Sequence, residues 1–387
     1  MPVTPSACSL TSHELGSSAT QSVNPNAPAD ALALQARSFS LVESPRAWGG
    51  PAGHGLLRLK PEDFFVEEIP GFEPDGEGEH LLLFVEKREL NTVDVANALR
   101  RLSGVRQVDV SYAGLKDRFS VSRQWFSIYL PGKSDPSFGE IEGDRLRVLK
   151  AVRHSRKLRR GALRGNRFRL VVREFSGDPG RVDEIFAAIA RNGFPNYFGE
   201  QRFGRNNSNL FTAAELLFGG RRMRRVEKGF ALSAARSMLF NRVLASRIDR
   251  GHWNQPLEGE VFQLAGARGL FRETALDEEL RRRCADLEIS PTGPLWGRDA
   301  RVQPLGAARE AEHLALASCI PWCEALEKEG LEGDRRALRA TAAELSWAFR
   351  NDQIEIEFLL GRGSYATALV REVLADRPGV GMVADGD

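Results

Sequence analysis

Residues 107–130 read QVDVSYAGLKDRFSVSRQWFSIYL, a pattern that predicts two strands joined by a turn. Apolar and polar residues alternate over 107–112, as in a half-buried strand, and a second strand-like run covers 125–130. Gly114 lies just after the first run and permits a sharp change of backbone direction. The stretch therefore predicts a β-hairpin.

The turn of this hairpin carries a single acid, Asp117, among several cations. Lys116 and Arg118 flank it, and Arg123 follows within the same stretch. Because nearby cations favour the charged form of a carboxyl group, Asp117 is expected to be ionised and directed at a ligand. The ordinary alternative is that Asp117 only caps the turn. Residues elsewhere in the chain decide between these two interpretations.

The composition is typical of a soluble globular protein. The chain has 387 residues, 42% hydrophobic and 27% charged, and its length predicts two domains. No apolar run approaches the roughly 18 residues of a membrane span, and the N-terminus lacks the pattern of a secretory signal. The four cysteines are expected to be reduced thiols of a cytoplasmic protein. Cys319 and Cys323 lack a second Cys or His pair, so no metal site is predicted.

Positive charge is concentrated in parts of the chain although the net charge is only +2. Residues 153–173 contain nine Lys or Arg, one His and no acid, and a second basic cluster covers 221–225. Such a run is often only a solvated face. Here it leads into a strand-like segment that contains Phe168, and cations beside an aromatic strand suit an RNA backbone with stacked bases.

The chain divides into four parts by composition. Residues 1–50 are rich in Ser, Thr, Ala, Pro and Asn and predict a disordered extension. Residues 51–192 mix strand and helix patterns, 193–338 are mostly helical with a loop predicted at 259–269, and 339–387 return to a mixed pattern. This order predicts a second domain inserted between two parts of the first, which is possible where chain ends lie close together.

Motifs of several common enzyme classes are missing from the sequence. No phosphate-binding loop, no G-x-G-x-x-G after a strand and no G-x-S-x-G elbow is present. Nucleotide-dependent kinases, dinucleotide-dependent redox enzymes and serine hydrolases are therefore not supported.

Eight segments, in order along the chain, are similar to motifs of one known family. They are PEDF (61–64), GEGEH (76–80), AGLKD (113–117), GALRGNRF (161–168), NYFGEQRFG (196–204), LSAAR (232–236), LSW (345–347) and GSYAT (363–367). On these segments, which extend from about Gly53 to about Ala375, the chain resembles the TruD-type tRNA pseudouridine synthases.

This resemblance implies roles for particular residues. It implies that Asp117 is the catalytic aspartate, and that Phe64, Asn166 and Tyr365 line the pocket for the target nucleotide with Phe168 beside them. The family usually has Phe where this chain has Tyr365, and the added hydroxyl then needs a partner or water. Aromatic side chains can stack on the base, and Asn has the donor and acceptor needed to bind a uracil edge.

Four cations are weighed as supporting residues. Arg123 is expected to reach the carboxylate of Asp117, with Lys116 as a further candidate. Arg202, in the 196–204 motif at the expected domain junction, is a candidate for phosphate contact. Arg58 stands where the family commonly has Lys, and because the geometry of the two side chains differs, it is not assigned to the site.

The resemblance also implies a fold, a reaction and a partner. The expected fold is α+β: a pseudouridine-synthase catalytic domain with a largely antiparallel sheet, interrupted by an inserted, mostly helical α/β TRUD domain that begins near Gly193. The expected reaction is isomerisation of uridine-13 of tRNA to pseudouridine by a monomer that needs no cofactor or metal, with the base flipped into an aromatic-lined pocket. Asp117 would act either as the nucleophile or as the base.

Two other functions remain open from the residues. One is a non-catalytic RNA-binding protein, which would have no use for Asp117. The other is a hydrolase that uses Asp117 to release free uracil, whereas an isomerase keeps the base attached.

Overall fold

The computed structural model describes residues 43–375 without interruption, together with Leu32, Gln35, Ala36 and residues 38–41. In chain order its strands are β1 (Gly53–Leu57), β2 (Phe64–Pro70), β3 (His80–Arg88), β4 (Val110–Tyr112), β5 (Val121–Tyr129), β6 (Leu146–His154), β7 (Leu163–Gly177), β8 (Phe194–Pro195), β9 (Val261–Leu264), β10 (Leu270–Arg272), β11 (Ile289–Leu295), β12 (Asp334–Ala337), β13 (Arg339–Ala340), β14 (Ala342–Arg350), β15 (Gln353–Gly361) and β16 (Leu374–Ala375). Its α-helices are α1 (Thr92–Ser103), α2 (Pro179–Asn192), α3 (Ser208–Leu217), α4 (Arg225–Asp249), α5 (Glu278–Ala285), α6 (Gly306–Leu316), α7 (Ile320–Lys328) and α8 (Ala366–Val373).

A large sheet forms the base of the fold. Its order is β14-β15-β7-β2-β5-β3-β6, with β1, β4 and β16 paired beside this path. The pairs are antiparallel except for β2 with β5 and β1 with β16, so the predicted largely antiparallel sheet is confirmed. Strands from both ends of the chain share it, because β15 pairs with β7 over 354–361 and 165–172.

The alternation in the sequence explains how β15 is positioned. Ile354, Ile356 and Phe358 are fully buried, and the ring of Phe358 stacks on Phe168 at 5.3 Å. The residues between them point to the other face, as the period of a strand requires. Burial of this apolar face therefore sets the register of β15 with β7, in which Phe358 lies opposite Phe168.

The hairpin around Asp117 differs from the prediction at both strands. Residues 107–109 form a 3-10 turn, so that β4 starts only at Val110, and β5 already begins at Val121. The early turn is stabilised by Asp109, whose carboxylate accepts hydrogen bonds from the backbone and the guanidinium of Arg106. Local hydrogen bonding by Asp thus overrides the alternating pattern.

The stretch between β8 and β13 contains helices and a small second sheet. Helices α3 to α7 lie here, as the sequence predicts, but strands β10-β9-β11-β12 also form a sheet. The predicted loop at 259–269 is therefore wrong in part, since Val261 and Phe262 are fully buried in β9. Two apolar residues are too short a run to be recognised as a strand.

The two ends of the stretch between β8 and β13 lie side by side. Strand β8 pairs with β13, with Phe194 opposite Ala340. Gly193 precedes β8 with φ +78°, and a Cβ there would lie 2.5 Å from the carbonyl oxygen of Ala340. Only glycine fits this close approach.

One hydrophobic cluster connects the large sheet with α2 and α4. It extends from Val172 in the sheet through Ile189 of α2 to Leu244 of α4. Cys284, Cys319 and Cys323 are buried free thiols. Within the described residues, no helix combines the length and the apolar character that a membrane crossing requires.

The described part of the N-terminal extension packs on this core, which corrects the prediction of disorder for the described residues between 32 and 50. The ring centroids of Phe39 and Phe203 lie 4.8 Å apart, and Gln35 accepts a hydrogen bond from the indole of Trp322 at 2.9 Å. Arg371 donates to the carbonyl oxygen of Ser44 at 2.6 Å. Scattered apolar residues in a polar segment gave no periodic signal, although they are buried on folding. Residues 1–31 lie outside the described part of the chain.

We expect Phe39→Ala to lower the free energy of unfolding by about 2–4 kcal/mol, because it leaves a cavity beside Phe203. The matched control is Phe230→Ala, since Phe230 is 58% exposed, and its effect should stay within about 0.5 kcal/mol. Denaturant unfolding of both variants measures the difference. Equal stabilities would show that Phe39 does not pack on the core in solution.

Candidate active site

Backbone contacts hold the turn around Asp117 in place. The carbonyl oxygen of Asp117 accepts hydrogen bonds from Lys87 Nζ at 3.0 Å and from Ser120 Oγ at 2.8 Å. The backbone N–H of Lys116 donates to Thr92 Oγ1 at 3.0 Å. Strands β3 and β5 and helix α1 thereby fix the position of the acid, since Lys87, Ser120 and Thr92 lie in or beside them.

The carboxylate of Asp117 is bound on both oxygens and is still accessible. Arg58 Nη2 lies 2.8 Å from Oδ2, and Gln201 Nε2 donates to Oδ1 at 2.8 Å. The side chain of Asp117 is 31% exposed. Two donors orient the group, while its remaining lone pairs can be reached from solvent.

Arg58 therefore belongs to the site, contrary to the expectation that excluded it. Besides its ion pair, its guanidinium lies 4.0 Å from the ring centroid of Phe64. Its backbone has φ +59°, in the left-handed region that is unfavourable for a residue with a side chain. A strained backbone at a site of this kind is a frequent accompaniment of function.

Arg123 and Lys116 do not bind the carboxylate of Asp117 as expected, because each pairs with other acids. Arg123 lies directly opposite Glu67 and Glu86 in the neighbouring strands and binds both, at 3.1 and 2.8 Å. Lys116 pairs with buried Glu68 at 2.6 Å. Strand register directs Arg123 to acids across the sheet, so neither cation pairs with the carboxylate of Asp117.

Lys87 was not recognised from the sequence, where it ends an apolar strand. It is fully buried and donates to the carbonyl oxygens of Leu90 and Asp117. Burial lowers the pKa of Lys87 to about 8, an effect that the nearby charge of Asp117 partly opposes. Its ammonium group stabilises the turn through carbonyl oxygens rather than through a carboxylate.

This pKa predicts a pH dependence of stability. Between about pH 8 and pH 10.5 the unfolded chain still holds the proton that folded Lys87 has lost. The unfolded state then binds more protons, so the free energy of unfolding should rise with pH, by up to about 1.4 kcal/mol per pH unit. We expect Lys87→Met to remove this rise, as measured by denaturant unfolding across that range. Lys150→Met at an exposed position should keep it, and an unchanged curve for Lys87→Met would contradict the prediction.

The two predicted phenylalanines take different positions. Phe64 and Phe168 are both in the core and meet edge to face at 6.1 Å. Phe64 carries Arg58 on its ring, whereas Phe168 stacks on Phe358. Phe64 is thus connected to Asp117 through Arg58, and Phe168 supports Phe64 from within the core.

Asn166 presents an unused acceptor. It lies on β7, directly opposite Glu68 of β2. Its Oδ1 is buried and has no hydrogen-bond partner among the described residues. A buried amide oxygen normally binds a donor, so this atom is suited to receive an N–H from a ligand. Because Glu68 also binds Lys116, Asn166 lies on the same side of the fold as the Asp117 turn.

The hydroxyl of Tyr365 has a hydrogen-bond partner. The residue precedes α8, and its hydroxyl accepts a hydrogen bond from Arg202 at 2.9 Å. Arg202 also donates to Ser233 Oγ at 2.8 Å, and its guanidinium lies 5.2 Å from the ring of Phe198. Arg202 therefore links Tyr365 to α4.

Arg336 and Gln201 also lie in this part of the site, and neither was predicted from the sequence. Arg336 lies 4.2 Å from the ring of Phe198 and donates to Asn196 Oδ1 at 2.5 Å. Burial lowers the pKa of Arg336 to about 10.

Gln201 belongs to the 196–204 motif, which was recognised only as a junction. The motif brings this amide to Asp117 across 84 positions of sequence.

Comparison with known proteins gives a consistent result. The family profile described as tRNA pseudouridine synthase D (TruD) matches residues 46–229 and 221–373. The chain is 46% identical to "tRNA pseudouridine synthase D" of Methylococcus capsulatus, over 86% of this chain and 95% of that protein. It is 43% identical to "tRNA pseudouridine synthase D" of Aeromonas salmonicida, over 84% of this chain and 92% of that protein.

A solved structure shares the fold. The crystal structure titled as the putative tRNA pseudouridine synthase D (TruD) from Methanosarcina mazei superposes with a TM-score of 0.67 at 22% identity, covering 90% of this chain and 98% of that one. With a profile that matches nearly the whole described length and relatives of this identity, the chain belongs to the tRNA pseudouridine synthase D (TruD) family.

Proposed function

We propose that this protein isomerises a uridine of tRNA to pseudouridine and that Asp117 is its catalytic carboxylate. One observation carries the proposal: Asp117 is bound on both oxygens by Arg58 and Gln201 and is still exposed to an incoming ligand. A carboxylate that only caps a turn would bind nearby backbone N–H groups instead. The names of the relatives supply the reaction, and uridine-13 is the position that the family resemblance implies.

The chemistry requires an ionised, oriented acid. The bond between C1′ of the ribose and N1 of uracil breaks, the base rotates, and C5 joins C1′. The hydrogen on C5 then leaves as a proton, and N1 takes up a proton. Asp117 acts either as a nucleophile at C1′ or as a base that takes a ribose proton. Both routes start from the carboxylate that Arg58 and Gln201 bind and orient.

The surrounding residues fit a flipped base. Extrusion of a base from its stack costs a few kcal/mol, and a stacking contact returns about 1–3 kcal/mol. We assign stacking to Phe64 and Tyr365, with Phe168 as support below Phe64. The free Oδ1 of Asn166 would accept the N3–H of uracil, a donor that survives the rotation of the base.

The domain arrangement is part of the proposal. Residues 51–192 and 339–375 would form the catalytic domain, and residues 193–338 an inserted TRUD domain whose Gln201 closes the site over Asp117. The enzyme would bind tRNA as a monomer in the cytoplasm, without a cofactor.

The test uses purified protein and tRNA transcripts that carry tritium at C5 of uracil. Isomerisation should release tritium as water while the base stays attached to the RNA, and sequencing should map one modified position. Release of free uracil would instead favour a hydrolase. Binding without release of either would favour a non-catalytic RNA-binding protein, a function that does not require the Arg58–Asp117–Gln201 arrangement.

A further inference from the structure

We propose that a cleft beside the end of β6 is a second RNA subsite, which holds a nucleotide outside the pocket of the target base. This rests on the proposed function, because it assigns the cleft to the same RNA substrate. The cleft has a volume of about 720 Å³ and lies between Phe72 and the segment 154–159. That volume is within the range of sites for small ligands, such as one nucleotide.

An aromatic platform forms one wall of the cleft. The rings of Phe72 and His154 stack at 5.3 Å, with 17° between their planes. The orientation of His154 is fixed because its Nδ1 lies 3.0 Å from Asp75 Oδ1. A fixed ring pair of this kind can continue the stack with a base of any sequence.

Asp75 is a carboxylate in the lining of a site proposed for an anion. It binds the protein rather than a ligand, since Ser155 donates to it from Oγ at 2.5 Å and from its backbone N–H at 3.1 and 3.2 Å. These hydrogen bonds, with that of His154, lower the pKa of Asp75. Asp75 thus holds the turn that presents His154 and the cations after it.

Two arginines of the cleft are available to a ligand, whereas its Lys157 already donates to the carbonyl oxygen of Val108. Arg156 and Arg159 are exposed, and within the described residues neither forms an ion pair or a side-chain hydrogen bond. Other cations of the same basic run are paired: Arg153 with Asp135, Arg167 with Glu344 and Arg173 with Asp63. Free guanidinium groups beside a stacking platform are the combination that binds phosphate and base of a single strand.

The basic loop at 155–162 is attached to the strand that leads to Asp117. Three hydrogen bonds make the attachment: Lys157 Nζ to Val108 O at 2.6 Å, Ser111 Oγ to Leu158 O at 2.9 Å, and the N–H of Gly161 to Ala113 O at 2.8 Å. The loop therefore follows β4 toward the Asp117 turn. A second cleft of about 420 Å³ on this strand shares Lys157 and Arg159 with the first. An RNA strand that leaves the target pocket can follow these cations to the platform.

The experiment measures binding of an unmodified tRNA transcript over a series of salt concentrations. Arg156→Ala with Arg159→Ala should reduce the salt slope by about 0.7–0.9 for each phosphate that the two arginines neutralise. His154→Ala should weaken binding about tenfold, and His154→Phe should restore it to within about twofold because the stack is kept. The rate of isomerisation at saturating tRNA should not change, since none of these residues lies at Asp117.

The control replaces two exposed cations elsewhere, Arg268→Ala with Arg301→Ala, and should leave the slope unchanged. If His154→Ala does not fold, the arginine pair still decides, because both side chains are exposed. Unchanged affinity and slope in the arginine variant would overturn the subsite. Because binding is measured without turnover, that result is separate from a failure of the proposed isomerisation, which would show as inactivity of the unaltered protein.

Discussion

Asp117→Asn is expected to lower the rate of pseudouridine formation by about 10⁴-fold or more, which is the scale of removing a nucleophile or base from an active site. The amide has nearly the shape of the carboxylate but cannot attack C1′ or take a proton at neutral pH. RNA binding should be equal or tighter, because the change removes a negative charge and frees Arg58 for a phosphate. Single-turnover rates and tRNA affinity, measured on the same protein, test both parts.

The control for this change is Asp299→Asn, which removes the same charge from a position whose side chain is 85% exposed. It should leave both rate and affinity unchanged. The Asp117 variant should also fold, because a partly exposed ion pair contributes about 1 kcal/mol or less. Near-normal isomerisation by Asp117→Asn would assign catalysis to another group.

The sequence predicted the elements that depend on local pattern. Apolar and polar residues alternate over 353–358, a pattern typical of a strand with one buried face, and β15 has this form. Val95 and Leu99 lie four positions apart, a spacing that places both on one face of a helix, and both are buried in α1. The helix ends at Gly104 in the left-handed conformation. Side-chain spacing and a residue that tolerates positive φ are properties of a short stretch, so they can be read without the rest of the fold.

The partners of Asp117 could not be predicted in this way. Lys116 and Arg123 are near it in sequence, but strand register and burial assign them to other acids. Arg58 and Gln201 reach it from 59 and 84 positions away. Proximity in sequence predicts a neighbour only where the backbone directs both side chains to the same side. Motif resemblance located the segment of Gln201 but did not indicate which residue it binds.

The N-terminal segment illustrates a second limit of sequence patterns. Phe39 and Gln35 lie in a region whose composition indicates disorder, yet they pack on residues of the helical stretch. Their burial depends on a surface assembled from distant residues, including Phe203 and Trp322. Composition records how little apolar surface a segment carries, not whether the rest of the chain offers a complementary surface for it.

Arg58→Ala is expected to lower the isomerisation rate about 100-fold, the scale of removing one charged donor from an oriented site. The change removes the ion pair to Asp117 and exposes the ring of Phe64 together. Arg58→Lys should recover part of the rate, because an ammonium group can pair with the carboxylate but lacks the planar group that lies on Phe64. Rates at saturating tRNA, compared with affinity, separate this effect from weaker binding.

A third substitution distinguishes an effect on catalysis from an effect on stability. Arg58 has φ +59°, so Arg58→Gly relieves backbone strain that Arg58→Ala retains. The glycine variant should therefore be more stable than the alanine variant by about 1 kcal/mol. Both should be equally slow, since neither has the guanidinium. If activity instead followed stability across the two variants, the role of Arg58 would be to hold the fold and not to orient Asp117.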